Sequence, residues 1–209
     1  MKLKELMMDL SRVKEYMEKS LEEHGTTSWG VGWNSKEGQT LRFQKLLQMI
    51  DNPIDERFSL NDLGCGYGAL LQYLIDKDFC LEHYYGYDIS QNMLNAAKDI
   101  IYKNKTLVCA PKLQTIADYS VVSGVFNAIF DRDKQEWQEY ILETLRNLNE
   151  FSKKGFSFNL LTDFVDYEAE NLYYANPCYF FEFCRKNFSR KVALLHDYDL
   201  WEWTIIVKK

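Results

Sequence analysis

The chain has 209 residues, a formal net charge of −6, 46% hydrophobic residues and 27% charged residues. This is enough for one sizeable globular domain with a continuous core. With only 10 glycines, 3 prolines and 5 cysteines it is neither a collagen, nor a linker-rich disordered chain, nor a disulfide miniprotein. A net negative balance also argues against a nucleic-acid partner.

The chain begins with a helical stripe. Leu3, Leu6, Leu10, Val13, Met17 and Leu21 recur every three or four positions, and Gly25 is placed to end the helix. Residues 26–35 read as a loop holding Trp29, Gly30, Gly32 and Trp33, and residues 40–50 as a second helix closed by Pro53. An alternation follows. Strands are expected over residues 58–63, 84–87, 106–110, 119–125 and 155–161, and helices over 69–76, 92–102, 134–149 and 177–187. Two last strands, 191–195 and 201–207, are separated by a short turn and so form an antiparallel hairpin. Strands alternating with helices predict an α/β fold with a doubly wound, mostly parallel sheet of about seven strands. Residues 1–57 read as an N-terminal helical cap and residues 58–209 as the main domain.

No apolar run reaches the roughly 20 residues that span a bilayer, and charged residues interrupt the N-terminal stripe. A cytoplasmic location is expected, with Cys65, Cys80, Cys109, Cys178 and Cys184 as buried thiols. None of the cysteines is spaced as a metal or redox motif, so no metal is expected.

The strongest local signal is Asp62-Leu63-Gly64-Cys65-Gly66-Tyr67-Gly68-Ala69, where a strand runs into a glycine turn and a helix leaves it. Glycines permit positive φ and close approach of a ligand to the backbone, and the helix start offers unpaired N–H groups. The same residues fit a dinucleotide fingerprint weakly, which keeps a nicotinamide-dependent oxidoreductase as an alternative. Against it stand the alternating glycines and Asp62, a carboxylate at the strand end suited to an ammonium group.

The motif Asp62 to Gly68 resembles the first motif of class I S-adenosylmethionine-dependent methyltransferases, and Gly86-Tyr87-Asp88-Ile89-Ser90 resembles their second. The resemblance spans about residues 58–209. It implies a Rossmann-like fold with S-adenosylmethionine as cofactor. Asp62, Gly64, Cys65, Gly66 and Gly68 would wrap its methionine part, and Asp88 would grip the ribose hydroxyls. Ile89 and Met93 would pack on the adenine, and the segment holding Ser123, Gly124 and Asn127 would face the transferring methyl. One departure is the stretch after the third strand, Cys109-Ala110-Pro111-Lys112, which lacks the acid that often contacts the adenine amine. The N-terminal segment resembles the family's variable cap.

Further candidates come from the residues themselves. Trp29 and Trp33, among glycines, read as a lid or substrate wall. Arg42 is suited to pair with a cofactor carboxylate. His196, at a strand end, is a candidate base, and Asp197, Tyr167, Tyr173 and Tyr174 are candidate acceptor contacts. The expected function is methyl transfer to a small-molecule acceptor such as a natural-product, sugar or polysaccharide precursor. A methyltransferase-like binding module without turnover is the rival from another class.

Overall fold

A computed structural model describes residues 8–209. The helices are α1 (Ser11–His24), α2 (Lys36–Leu46), α3 (Ala69–Asp76), α4 (Gln91–Lys98), α5 (Lys134–Phe151) and α6 (Pro177–Asn187). The strands are β1 (Phe58–Leu63), β2 (Leu81–Asp88), β3 (Lys105–Cys109), β4 (Ala117–Val122), β5 (Ser152–Thr162), β6 (Tyr174–Ala175), β7 (Lys191–Leu195) and β8 (Glu202–Lys208). The sheet order is β3-β2-β1-β4-β5-β8-β7, with β6 beside the end of β5. All pairs are parallel except those of β8, which runs antiparallel to both β5 and β7. This is the α/β fold expected from the alternation, and it is Rossmann-like as the family resemblance implies. The reversed strand lies inside the sheet, because the short β7–β8 turn folds the chain back into the slot beside β5.

The order reverses at β1 and β4. Helices of the first half therefore cover one face and those of the second half the other. Phe43, Leu46, Leu71, Leu74 and Leu94 from α2, α3 and α4 pack over Leu60, Tyr84 and Val121. On the other face Trp137, Ile141, Leu145 and Phe180 from α5 and α6 pack over Val122, Phe156, Phe158 and Trp203. Much of the 15% aromatic content is used here. Phe158 meets Trp203 edge to face at 5.8 Å and 77°. Both buried indoles are satisfied, Trp137 donating to the Phe126 carbonyl and Trp203 to that of Ala175, each at 2.9 Å. Burial of each such side chain contributes roughly 1.5–3 kcal/mol.

Several boundaries differ from the sequence reading. Helix α2 starts at Lys36, not residue 40, because Ser35 caps it by accepting from Gly38 N at 2.9 Å; a glycine in the first turn hid that start. Helix α4 ends at Lys98. Strand β6 is too short to show a period. No helix joins β3 to β4. The capping of α1 by Gly25 is as expected, with φ 65° and its N–H on the Leu21 carbonyl. The stripe residues Leu3 and Leu6 lie outside the described residues. Within the segment read as a cap, α1 and the loop around Val31 and Trp33 lie over the cleft described below, whereas α2 borders it through Gln39 and Phe43 and also shares the main core through Phe43 and Leu46. Of the five cysteines only Cys65 and Cys184 are buried; Cys109 and Cys178 are exposed and Cys80 is partly so. Among the described residues no helix is long and apolar enough to cross a membrane.

Candidate cofactor cleft

The carboxyl ends of β1, β2 and β4 open onto one cavity of about 1010 Å³, counting the part that opens to solvent. Its floor is the β1–α3 turn. Gly64 has φ +76°, and a Cβ there would lie 2.2 Å from Val125 Cγ2. Only glycine satisfies both conditions. Gly64 N and Cys65 N donate to the Tyr87 carbonyl at 2.7 and 3.0 Å, which ties the turn to β2.

Two carboxylates flank this turn. Asp62 is 3% exposed, and its Oδ2 accepts from the Tyr84 hydroxyl at 2.5 Å. Burial pushes the Asp62 carboxyl up to about 7; the Tyr84 hydrogen bond opposes this, and the nearby Asp88 adds to it. Desolvation thus dominates, as for a carboxylate without a cation. Asp88 accepts from Gly66 N at 2.9 Å through Oδ2 and from Ser90 N at 2.8 Å through Oδ1. Its carboxyl is also raised by burial, against those two backbone bonds. Each oxygen keeps a further lone pair for a ligand. Ser90 both caps α4, accepting from Met93 N at 3.2 Å, and donates to Glu18 of α1 at 2.8 Å. Burial likewise pushes the Cys65 thiol up, so it stays protonated.

The roof comes from the N-terminal elements. Leu10, just before α1, and Val13 and Met17 of α1 line the cavity, with Val31, Trp33, Gln39 and Phe43. The first three belong to the stripe read from sequence within the expected cap, although the stripe itself does not single them out as cavity wall. Ala110, Pro111, Val125 and Tyr140 complete the lining; Tyr140, on α5, had no sequence signal. Ser123 also lines the cavity, and its buried hydroxyl has no hydrogen-bond partner.

The structure gathers Asp62, Gly64, Cys65, Gly66, Asp88, Ile89, Met93, Ser123, Gly124 and Trp33 around this cavity. Gly68 is not on the wall. It caps α3 at φ 88° and abuts Ala97 and Ile100.

Other expected contacts lie elsewhere. Arg42 is not a free partner for a carboxylate: Nε lies 3.0 Å from both Glu202 oxygens and Nη2 lies 2.6 Å from Oε1, all buried. Glu202 is far away in sequence, so the pair was invisible there. His196 is exposed and stacks on Phe164 at 5.9 Å, outside the cavity lining, so it does not reach the cleft as a base. Asp197 pairs with Lys45 at 2.8 Å. Trp29 and Tyr167 are exposed. Tyr173 is buried, with its N–H on the Asn127 carbonyl at 2.8 Å. Asn127 is buried off the cavity wall with Oδ1 unpaired, and Tyr174 belongs to β6.

A doubly wound sheet, a glycine turn and an acid on each of two neighbouring strand ends, all at the switch point, define a domain that binds a nucleotide-type cofactor. The family model described as "Methyltransferase domain" matches residues 54–190. The Mycobacterium tuberculosis (strain ATCC 25618 / H37Rv) protein named "Putative methyltransferase Rv1506c" is 46% identical over 157 residues, which cover 73% of this chain and 93% of that protein. Among solved structures, magnesium protoporphyrin IX methyltransferase (ChlM) from Synechocystis PCC 6803 with bound SAM aligns at TM-score 0.67 and 14% identity, over 99% of both chains. The DhpI-SAH complex aligns at 0.65 and 13%, over 95% of both. At those identities the likeness is one of fold. The chain belongs to the methyltransferase domain family, and it is a methyltransferase of the Rossmann-like class.

Proposed function

We propose that the cleft binds S-adenosylmethionine and that the chain transfers its methyl group to a small-molecule acceptor. One observation carries the cofactor reading. Asp62 is a buried carboxylate on the cavity wall whose neighbours are a phenol and a second carboxylate, not a cation. A cationic ligand group relieves that arrangement, and the amino-acid end of this cofactor carries an ammonium. Asp88 is suited to ribose hydroxyls through its remaining lone pairs, and Ile89, Met93, Ala110 and Pro111 offer an apolar slot for the base.

The sulfonium supplies an electrophilic methyl group; the protein supplies position and dryness. Asp62 holds the ammonium and Asp88 the ribose. Trp33, Phe43 and the α1 stripe exclude water from the mouth. Histidine is absent from the wall, and the Tyr140 phenol is pushed up to about 12 by burial. With Asp62 and Asp88 both engaged by the cofactor in this reading, the wall offers no further base, and the reading favours an acceptor that is nucleophilic without one. The net charge of −6 and the largely apolar cleft lining support a small acceptor over a nucleic acid.

Incubation with methyl-labelled S-adenosylmethionine and a fractionated cell extract tests this. Label in a small-molecule fraction, matched by S-adenosylhomocysteine formed, is expected. Label confined to nucleic acid or protein would overturn the acceptor class.

A further inference from the structure

Trp33 is held in an unusual way. The Arg42 guanidinium lies over one face of its ring, 3.7 Å from the centroid. Its benzenoid edge abuts Gly124 so closely that a Cβ there would lie 2.3 Å from Cζ2 and 2.5 Å from Cη2. The same indole forms part of the cavity wall, beside Ser123 and Gly124.

Behind Arg42 a buried polar chain crosses three elements. Arg42 on α2 pairs with Glu202 on β8, whose side chain is 1% exposed. Glu202 Oε2 accepts from Asn159 Nδ2 on β5 at 2.8 Å. Asn159 Oδ1 in turn accepts from Gly124 N at 2.9 Å. The chain therefore returns to the glycine that seats Trp33. A fully paired buried network of this kind costs stability compared with an apolar one, so its charges call for a role.

We propose that Glu202 is a specificity-determining positioning residue: by neutralising Arg42 behind Trp33, it keeps the aromatic wall receptive to a cationic sulfonium. This rests on the reading that the cleft binds S-adenosylmethionine. The sulfur joins the amino-acid arm to the ribose, so it lies between the groups held by Asp62 and Asp88, within the cavity that Trp33 walls. An unneutralised guanidinium on the indole would draw on the same ring quadrupole and place a positive charge against the aromatic wall of the cavity, in a weakly screening interior. S-adenosylhomocysteine has the same ammonium, ribose and base but a neutral sulfur. The ratio of the two affinities therefore isolates the charge at sulfur.

The test is calorimetric titration of both ligands into wild type, Glu202→Gln, Arg42→Gln and the double variant, each checked for folding by circular dichroism. Glu202→Gln should lower the preference for S-adenosylmethionine over S-adenosylhomocysteine by roughly fivefold or more. Arg42→Gln should raise it, and the double variant should return it toward wild type. If Glu202→Gln does not fold, the other two carry the test through their opposite expectations. A residue with a merely structural role would weaken both ligands equally, and an unchanged ratio in the folded variants overturns the proposal. Failure of wild type to bind either ligand would instead overturn the cofactor reading beneath it.

Discussion

Replacing Asp62 by Asn should make the free protein more stable while destroying its cofactor site. The carboxyl is raised from 3.8 to about 7, chiefly by burial. Its folded value lies above its unfolded one, so its contribution to stability is fully present below about pH 4 and is lost as pH rises through 7. About three pKa units at 1.36 kcal/mol each amount to a penalty of about 4 kcal/mol for holding the charge in the empty cleft above pH 7. Asparagine is isosteric, uncharged and still able to accept from the Tyr84 hydroxyl that now bonds Oδ2 at 2.5 Å. Urea denaturation at pH 5 and pH 8 measures the effect. The variant should exceed wild type by only about 1.5 kcal/mol at pH 5, where little over one unit of the shift is felt, and by up to about 4 kcal/mol at pH 8. Titration with S-adenosylhomocysteine should show its affinity lost. A variant destabilised equally at both pH values would refute the view that Asp62 is a strained charge awaiting a cation. Stability given up at a binding site for function is a common trade.

Other expectations follow from the same geometry. In wild type, S-adenosylhomocysteine affinity should fall about tenfold per pH unit below 7, where Asp62 must first release its proton, and level off above; isothermal titration across buffers reads this. Gly64→Ala should cost about 1–3 kcal/mol and abolish ligand binding, because its φ of +76° and its contact with Val125 both exclude a side chain; thermal melts with and without ligand show it. Trp137→Phe leaves the Phe126 carbonyl without its 2.9 Å donor and should destabilise by about 1–3 kcal/mol in urea, with ligand affinity unchanged. His196→Ala, on an exposed ring outside the cleft, should leave affinity within about twofold of wild type in the same titration.

The parts of this molecule legible in the sequence are those written in local chemistry. Helices α3 and α6 and strands β1 and β7 have the bounds that periodicity and capping suggest. The glycine turn from Asp62 to Gly68 announces itself because turn residues, strand end and helix start fall within a few positions. What escaped is non-local. Glu202 reads as one more charge in a C-terminal strand until the β5–β8 register pairs it with Leu161, diagonally within reach of Asn159, and α2 brings Arg42 to it. Helix α1 was legible as an amphipathic stripe, but a stripe does not say which core it serves, and here Leu10, Val13 and Met17 roof a cavity. Tyr140 is similar: its place on α5 was evident, its place on the wall was not. His196 misled because a strand end near the cleft mouth need not point into it.

The most direct test of the cofactor assignment is a calorimetric comparison of S-adenosylhomocysteine and NAD against wild type and Asp88→Ala at pH 8. Wild type should bind S-adenosylhomocysteine and not NAD. Folded Asp88→Ala, having lost charge-assisted hydrogen bonds to the ribose, should bind S-adenosylhomocysteine weaker by roughly 1.5–3 kcal/mol. Equal affinity in the two proteins, or tighter binding of NAD, would contradict the assignment.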